Sequence, residues 1–566
     1  MFVPTVKNRL LFCGIIFCVS NIMLFFIFYN IFYSNNIFID FAVHPFNICE
    51  KYPDLWHFIK ISYIISFNFT ILIISNLIYS FIFSKEKINK NNLNSNIDNS
   101  SLNLLVGKDK NNNFIHINEN GLYQNILITG TIGSGKTSSA MYPFTRQLIE
   151  YKSNNKKEKL GLLILDVKGN YHKQVEEYCN LYGRKNDLIV LSLDGNIRYN
   201  PLDKPNLKPQ LLANRLKTIL TLFSSKNSEQ YWIDKAEQVL VECIKLCRLY
   251  NSGYVTFTEL HKLITIPNYY SSKIFFLRSL FLAGKLSKED CFNLLSSIEF
   301  FEKEFFKLDS RTLAILKSEI TRITGCFVSD YQIQKVFCPS KSEINFKGFN
   351  NLILQGKILV LNMNLAEFKN LSKIIAAYLK LDFQTEVMSR LSHFRNNNFR
   401  SVAFICDEFH EYVTSTDADF FSQSREAKCI NIVTTQSYTS ILNTLDNQNA
   451  TKTIIQNLVN KFWFRTDDIF TIEDAQKQLG KEEKQKTSKT ISENAKTTNF
   501  NIITQKFNSL DSNLSESINS YSQFDFIFDT NFFTQKLETF SCLAFISTGN
   551  NIIPPQKIQM IPYFKN

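Results

Sequence analysis

Residues Gly130 to Thr137 read GTIGSGKT, and this stretch decides the fold. It satisfies the pattern G-x-x-x-x-G-K-[ST] at every fixed position. An apolar run, Ile126-Leu127-Ile128, precedes it and reads as a buried strand; Ser138 to Tyr151 reads as a helix. Strand, glycine loop and helix together make a phosphate site. The glycines let backbone N–H groups turn inward, and the helix N-terminus adds its positive dipole end. Gly130, Thr131, Ile132, Gly133, Ser134, Gly135, Lys136, Thr137 and Ser138 are the candidate nucleotide cradle. Lys136 would reach the β- and γ-phosphates of ATP, and the Thr137 hydroxyl would ligate Mg²⁺. A Gly-Ser turn carrying a surface lysine is the alternative. Gly is scarce here, at 17 of 566 residues, which makes a chance match improbable.

Downstream, GLLIL (Gly161 to Leu165) ends in Asp166, and Leu188 to Leu193 follows. Apolar runs separated by helical stretches predict a parallel sheet with helices on both faces. From Pro205 to about Val328 the texture is helical throughout, with stripes such as Trp232, Ala236, Val239, Leu240 and Cys243. It reads as an all-α insertion over 205–328 inside an α/β domain spanning 106–204 and 329–566. The sheet resumes at KILVLNM (Lys357 to Met363). Then Val402 to Cys406 ends in Asp407-Glu408, the form of a Walker B strand. Asp407 would hold Mg²⁺, and Glu408 would orient the attacking water. NIVTT (Asn431 to Thr435) is the next strand. Gln436 at its end sits where a γ-phosphate sensor would stand, a polar strand-end cap being the alternative. Residues 481–520 are charged and polar and read as an extended surface segment; Leu537 to Phe564 returns to strand texture.

Upstream, Leu10 to Tyr33 and Ile61 to Phe83 are uncharged spans of 24 and 23 residues, long enough to cross a bilayer core of ~30 Å. The first could be a signal peptide, but it is long for an h-region and no A-x-A site follows. Residues 1–84 are therefore expected to be a two-helix membrane anchor, and 85–105, rich in Asn, Lys and Ser, a linker. Lys7, Arg9, Lys85, Lys87 and Lys90 flank the spans. By the positive-inside rule both ends face the cytoplasm. Asn68 and Ser75 are the polar residues most suited to face a partner helix. Net charge is +12, which suits a polyanionic partner without proving one. The twelve cysteines and seven histidines show no metal-ligand spacing, and Cys243 and Cys247 read as core.

In this order the motifs resemble the type IV secretion coupling proteins, the TraG and TraD group of membrane-anchored ATPases. The resemblance covers nearly the whole chain: two N-terminal spans, the GKT loop with Pro143 in its helix, LILDVKGN (Leu163 to Asn170), YNPLD (Tyr199 to Asp203), the helical insertion, ICDEFHEY (Ile405 to Tyr412) and the block from Ser424 to Ser437. Two positions depart from it. The family usually has D-P-K-G-E where this chain has Asp166-Val167-Lys168-Gly169-Asn170, so only Asp166, Lys168 and Gly169 carry over. It often has Phe-Pro where this chain has Phe409-His410. The resemblance implies a RecA-like motor, assembled as a homohexamer at the bacterial inner membrane with its ATPase domain in the cytoplasm. It implies partners among secretion-channel components and among DNA, nucleoprotein relaxosomes or effector proteins. It also implies an arginine finger acting across subunits: Arg425 lies in the matching block, with Arg465 the runner-up and a solvated helix arginine the alternative. A nucleotide-gated docking receptor without motor activity, or a DNA pump of the FtsK or HerA type, are the competing functions.

Overall fold

The computed structural model describes residues 17–23, 61, 65–74, 101–223, 230–393, 399–494, 500–501, 506–507 and 513–565. It divides into two compact units, Met1–Ser100 and Ser101–Asn566. In the first, residues 17–23 and 65–74 are helical. Asn21 Nδ2 donates to Asn68 Oδ1 at 2.7 Å, so Asn68 does meet a polar partner across from it. Among the described residues no helix is long and apolar enough to cross a membrane. The spans expected over 10–33 and 61–83 fall for the most part outside the described residues, as do residues 85–100 of the linker.

The second unit is a mixed α/β fold. Its strands are β1 (Asn103–Lys108), β2 (Phe114–Asn118), β3 (Ile126–Thr129), β4 (Gly161–Leu165), β5 (Leu188–Leu191), β6 (Ile358–Leu361), β7 (Val402–Cys406), β8 (Cys429–Thr435), β9 (Asn460–Trp463), β10 (Lys481–Asn494), β11 (Phe500–Asn501), β12 (Lys506–Phe507), β13 (Asn513–Phe526), β14 (Ser541–Ser547) and β15 (Ile552–Met560). Eleven form one sheet in the order β2-β1-β15-β14-β9-β3-β8-β7-β4-β6-β5. From β9 to β5 every pairing is parallel; β14, β15, β1 and β2 add antiparallel pairings on the other side.

The parallel strands read as continuous apolar runs because both faces are covered. Alternate residues go to opposite cores. Ile126, Ile128, Leu162, Ile164, Ala403 and Ile405 pack with the helices Tyr142–Glu150 and Tyr171–Leu181. Leu127, Leu163, Leu165, Phe404, Cys406 and Val433 pack on the other face, beneath the helix Leu365–Ser389. The helical run between β5 and β6 belongs to that second core: Leu212, Leu216, Ile219, Cys243 and Cys247 share one buried cluster with the sheet. This run begins with Pro209–Phe223 and Gln230–Tyr250. It continues past residue 328 with helices Tyr331–Phe337, capped by Asp330, and Phe349–Gln355.

Three elements differ from the sequence reading. β1 opens at Asn103, inside the stretch read as linker, because Leu104 and Val106 alternate into the core. β9 was not distinguished as a strand: Asn460 and Lys461 break its apolar pattern, yet both are buried between β3 and β14. The polar segment after Leu479 forms a two-stranded antiparallel ribbon, β10 with β13. It has no hydrophobic alternation to betray it, since neither strand joins the main sheet.

Candidate functional site

The carboxyl ends of the parallel strands carry the site, as expected for an open α/β sheet. β3 runs into the glycine loop, β4 into Asp166, β7 into Asp407 and Glu408, and β8 into Gln436. After the loop the helix opens with a wide turn, Thr137–Met141, in which the Tyr142 N–H donates to the Thr137 carbonyl. Pro143 follows at once and has no N–H to give, so the wider turn steps around it.

Ile132, Gly133, Gly135, Lys136, Thr137, Ser138, Asp166, Lys168, Asp407, Glu408 and Gln436 line one cavity of about 570 Å³. Gly130, Thr131 and Ser134 lie behind it as loop scaffold: Thr131 N–H donates to the Arg465 carbonyl at 2.8 Å, and Ser134 Oγ to the Thr131 carbonyl at 2.8 Å. Gly135 has φ 96°, and a Cβ there would stand 2.5 Å from Phe540 Cδ1. Only glycine fits that position. Lys136 is 7% exposed; its Nζ donates to the carbonyls of Gly130 at 2.5 Å and Thr131 at 3.1 Å. Burial lowers its pKa, opposed by the carboxylates of Glu408 and Asp407.

Thr137 Oγ1 lies 3.4 Å from Asp407 Oδ2, and Asp407 Oδ1 accepts from Thr434 Oγ1 at 2.5 Å and from the Glu408 N–H at 3.1 Å. Thr434 also accepts from the Glu408 N–H at 3.1 Å. Glu408 adopts φ 50°, left-handed for a residue with a side chain; such strain persists where surroundings over-determine it, often at functional sites. Burial, then the neighbouring Asp407, push the Glu408 carboxyl above the usual range; Lys136, Lys168 and a hydrogen bond from Gln436 pull it back. Asp166 accepts from the N–H groups of Lys168 (3.1 Å), Asn170 (3.0 Å) and Tyr171 (3.1 Å); burial nevertheless raises its pKa. Gly169 follows at φ 67°, where a Cβ would stand 2.9 Å from the Asn364 nitrogen.

The residues fit MgATP. A hydroxyl and a carboxylate converge as hard oxygen donors, the set Mg²⁺ selects. Glu408 Oε2 is buried with no hydrogen-bond partner among the described residues, the position in which a carboxylate would receive a water. His410 Nδ1 lies 3.6 Å from that oxygen, beyond hydrogen-bonding distance, and burial depresses the imidazole's pKa.

Arg425 stands apart. It is exposed, in the turn before β8, while Gln436 follows that strand's other end; seven residues of strand span roughly 20 Å. Arg425 does not line its own chain's cavity. Arg465 lies two residues beyond the end of β9 and offers the loop its carbonyl. The sequence reading missed Thr434, Tyr142, Asn170, Thr539, Phe540 and Tyr563. The last three come from the β14 and β15 ends, some 400 residues from the loop, where no local signal marks them.

A family model described as "TraM recognition site of TraD and TraG" matches residues 401–518. No curated protein sequence matches the chain. Among solved structures, the chain is similar to the bacterial conjugative coupling protein TrwBdeltaN70 in its unbound monoclinic form, with 13% identity, TM-score 0.50, and coverage of 81% of this chain and 88% of that one. TrwB in complex with ADP and Mg²⁺ matches at 12% identity and TM-score 0.50 over 78% and 86%. TrwB with the GTP analogue GDPNP matches at 12% and 0.50 over 79% and 87%. At such identity these structures speak for the fold.

Proposed function

We propose, from the premise that this chain is a type IV secretion coupling protein of the TraG/TraD type, that it hydrolyses MgATP to drive delivery of DNA–protein or protein substrates to a secretion channel. The observation that carries the reading is the convergence of Lys136, Thr137, Asp407, Glu408 and Gln436 on one cavity at the ends of β3, β7 and β8. Thr137 Oγ1 and Asp407 would hold Mg²⁺, with Thr434 fixing the carboxylate. The bound ion would neutralise charge developing on the phosphoryl oxygens. Lys136 would leave the loop carbonyls for the β- and γ-phosphates. Glu408, strained and with an open oxygen, would orient the attacking water, and Gln436 would contact the γ-phosphate.

A two-helix anchor in the inner membrane, with the ATPase domain in the cytoplasm and assembled as a hexamer, completes the proposal. So does a partner of the TraM kind, for which the matched family segment is named. Glu408→Gln tests the chemistry. ATP should still bind, while turnover falls by about 10²-fold or more; Lys136→Ala should weaken binding instead. Equal turnover in Glu408→Gln and the parent would remove Glu408 from catalysis. Stimulation of turnover by single-stranded DNA would tie the cycle to nucleic-acid cargo.

A further inference from the structure

The nucleotide cavity has two sides, and the catalytic reading uses only one. In the sheet, β3 and its loop stand between β8 and β7 on one flank and β9, β14 and β15 on the other. The first flank supplies Asp407, Glu408 and Gln436. The second supplies Thr539, Phe540 and Tyr563, which line the same cavity. β14 runs antiparallel to β9 and β15 antiparallel to β14. The start of β14 and the end of β15 therefore both lie at the phosphate-loop end of the sheet.

This second flank is aromatic and built. Phe540 has φ 65°, left-handed for a residue with a side chain. Two backbone hydrogen bonds pin it: its N–H donates to the Ser134 carbonyl at 3.2 Å, and its carbonyl accepts from Met560 N–H at 2.8 Å. The ring lies against Gly135, next to Lys136. Tyr563 meets Tyr142 edge to face at 5.1 Å, and Tyr142 sits just over one helical turn beyond Thr137. Phe564 ties the pair together, at 5.9 Å from Phe540 and 5.5 Å from Tyr563. Tyr563 keeps 36% of its surface exposed and Phe564 58%. Large rings are thus held, by strained backbone and mutual edge contacts, beside a polyphosphate cradle and partly open.

We propose that Phe540 and Tyr563 form the platform for the nucleotide base, and that it accepts either purine; this rests on the ATPase reading of the same cavity. With the polyphosphate on the helix N-terminus, the base must lie toward one flank. The flank of β8, β7 and β4 presents the carboxylates Asp407, Glu408 and Asp166, whereas the β14–β15 flank presents apolar faces that a base covers. A ring reads a base by its face, and every base has one. The polar side-chain groups on this flank are the hydroxyls of Thr539, Tyr142 and Tyr563. A hydroxyl both donates and accepts, so it tells adenine from guanine poorly. A purine offers more face than a pyrimidine, and inorganic tripolyphosphate offers none.

The test is calorimetric titration of the full-length protein with the magnesium complexes of ATP, GTP, UTP and inorganic tripolyphosphate, repeated on Tyr563→Ala and Phe540→Leu. ATP and GTP should bind the parent within about threefold of each other, and tripolyphosphate roughly tenfold or more weaker, with UTP between. Both variants should bring ATP to within about twofold of tripolyphosphate while leaving tripolyphosphate itself unchanged. Parent protein that binds tripolyphosphate as tightly as ATP overturns the platform. So do variants that lose ATP and tripolyphosphate equally, which marks a structural role, and variants that lose neither. A tenfold or greater preference between ATP and GTP overturns the face-reading argument. Failure of all four ligands to bind the parent would instead overturn the ATPase reading, and the platform with it.

Discussion

Thr434 shows how much of the site lies in a single hydroxyl. It donates to Asp407 and accepts from the N–H of Glu408, so one side chain on β8 orients both acids of β7. Thr434→Val keeps the shape and removes the polar atom. Its expected effect is a 10–100-fold loss of Mg²⁺ affinity, read by metal titration of turnover, with apo-protein melting little changed. Glu408 should give the pH profile its acid limb. Its carboxyl is raised by burial and by Asp407, and orienting water requires the ionised form. Turnover should therefore fall, as pH drops, at a higher pH than an ordinary glutamate would impose; Glu408→Gln should lose that limb. Asp407 and Glu408 were legible in the sequence as site candidates because they adjoin their own strand. Thr434 was not, since its role depends on β7 and β8 being neighbours, which no local pattern states.

At the level of elements, legibility followed hydrophobic pattern. β3, β4, β6 and β7 are short, largely apolar and fully buried; all four were readable, and β3, β4 and β7 came with the loop or acid that follows each. β9 was not, because Lys461 interrupts it. That lysine is 5% exposed, with its ammonium donating to Gln478 Oε1 at 2.8 Å. Burial depresses its pKa from 10.5 to about 8. Below pH 8 both folded and unfolded chains carry the proton, and the folded state bears the full desolvation penalty. Between about 8 and 10.5 the unfolded chain binds more protons, so stability rises with pH. The whole effect amounts to about 3 kcal/mol. Lys461→Met should melt higher than the parent at pH 7, and the gap should close toward pH 10; a constant gap would refute the assignment. The β10–β13 ribbon failed the same reading for the opposite reason. Its few apolar side chains, Ile491, Ile518 and Phe524, sit among Glu483, Lys489 and Glu516 and stay exposed, so sequence offered no core for it to join.

Within the unit Ser101–Asn566, the helical run and the sheet are less divisible than the chain order suggests. Asp382 on the helix Leu365–Ser389 is fully buried, paired with Lys204 at 2.7 Å and Arg215 at 2.8 Å, and Tyr199 donates to it at 2.8 Å. Burial alone would raise its pKa, but the two cations hold it below the usual range. Lys204 and Arg215 enter and begin the helical run, so this ion cluster fastens it to the helix Leu365–Ser389 that covers the sheet. Arg215→Met should cost about 3–5 kcal/mol, visible as a large fall in melting temperature with the nucleotide loop untouched. Assembly can be tested through Arg425, which lies far from its own cavity. If it serves a neighbour, Arg425→Ala should bind ATP yet lose ~10³–10⁵ in rate. Mixing it with Lys136→Ala should then restore activity at mixed interfaces; full activity in Arg425→Ala would rule the arrangement out. The strand order also sets a timetable. β1 and β2 wait at the sheet's edge for β15, which is synthesised about 440 residues after Lys108, a delay of roughly 20–90 s at ~5–20 residues per second. Phe540 and Tyr563 arrive in that same late segment. A nascent chain can therefore make the phosphate loop, strand β7 and the acids before it can close the sheet around them, and until β14 and β15 emerge β9 and β1 each keep an unpaired edge, the kind of edge that invites mispairing.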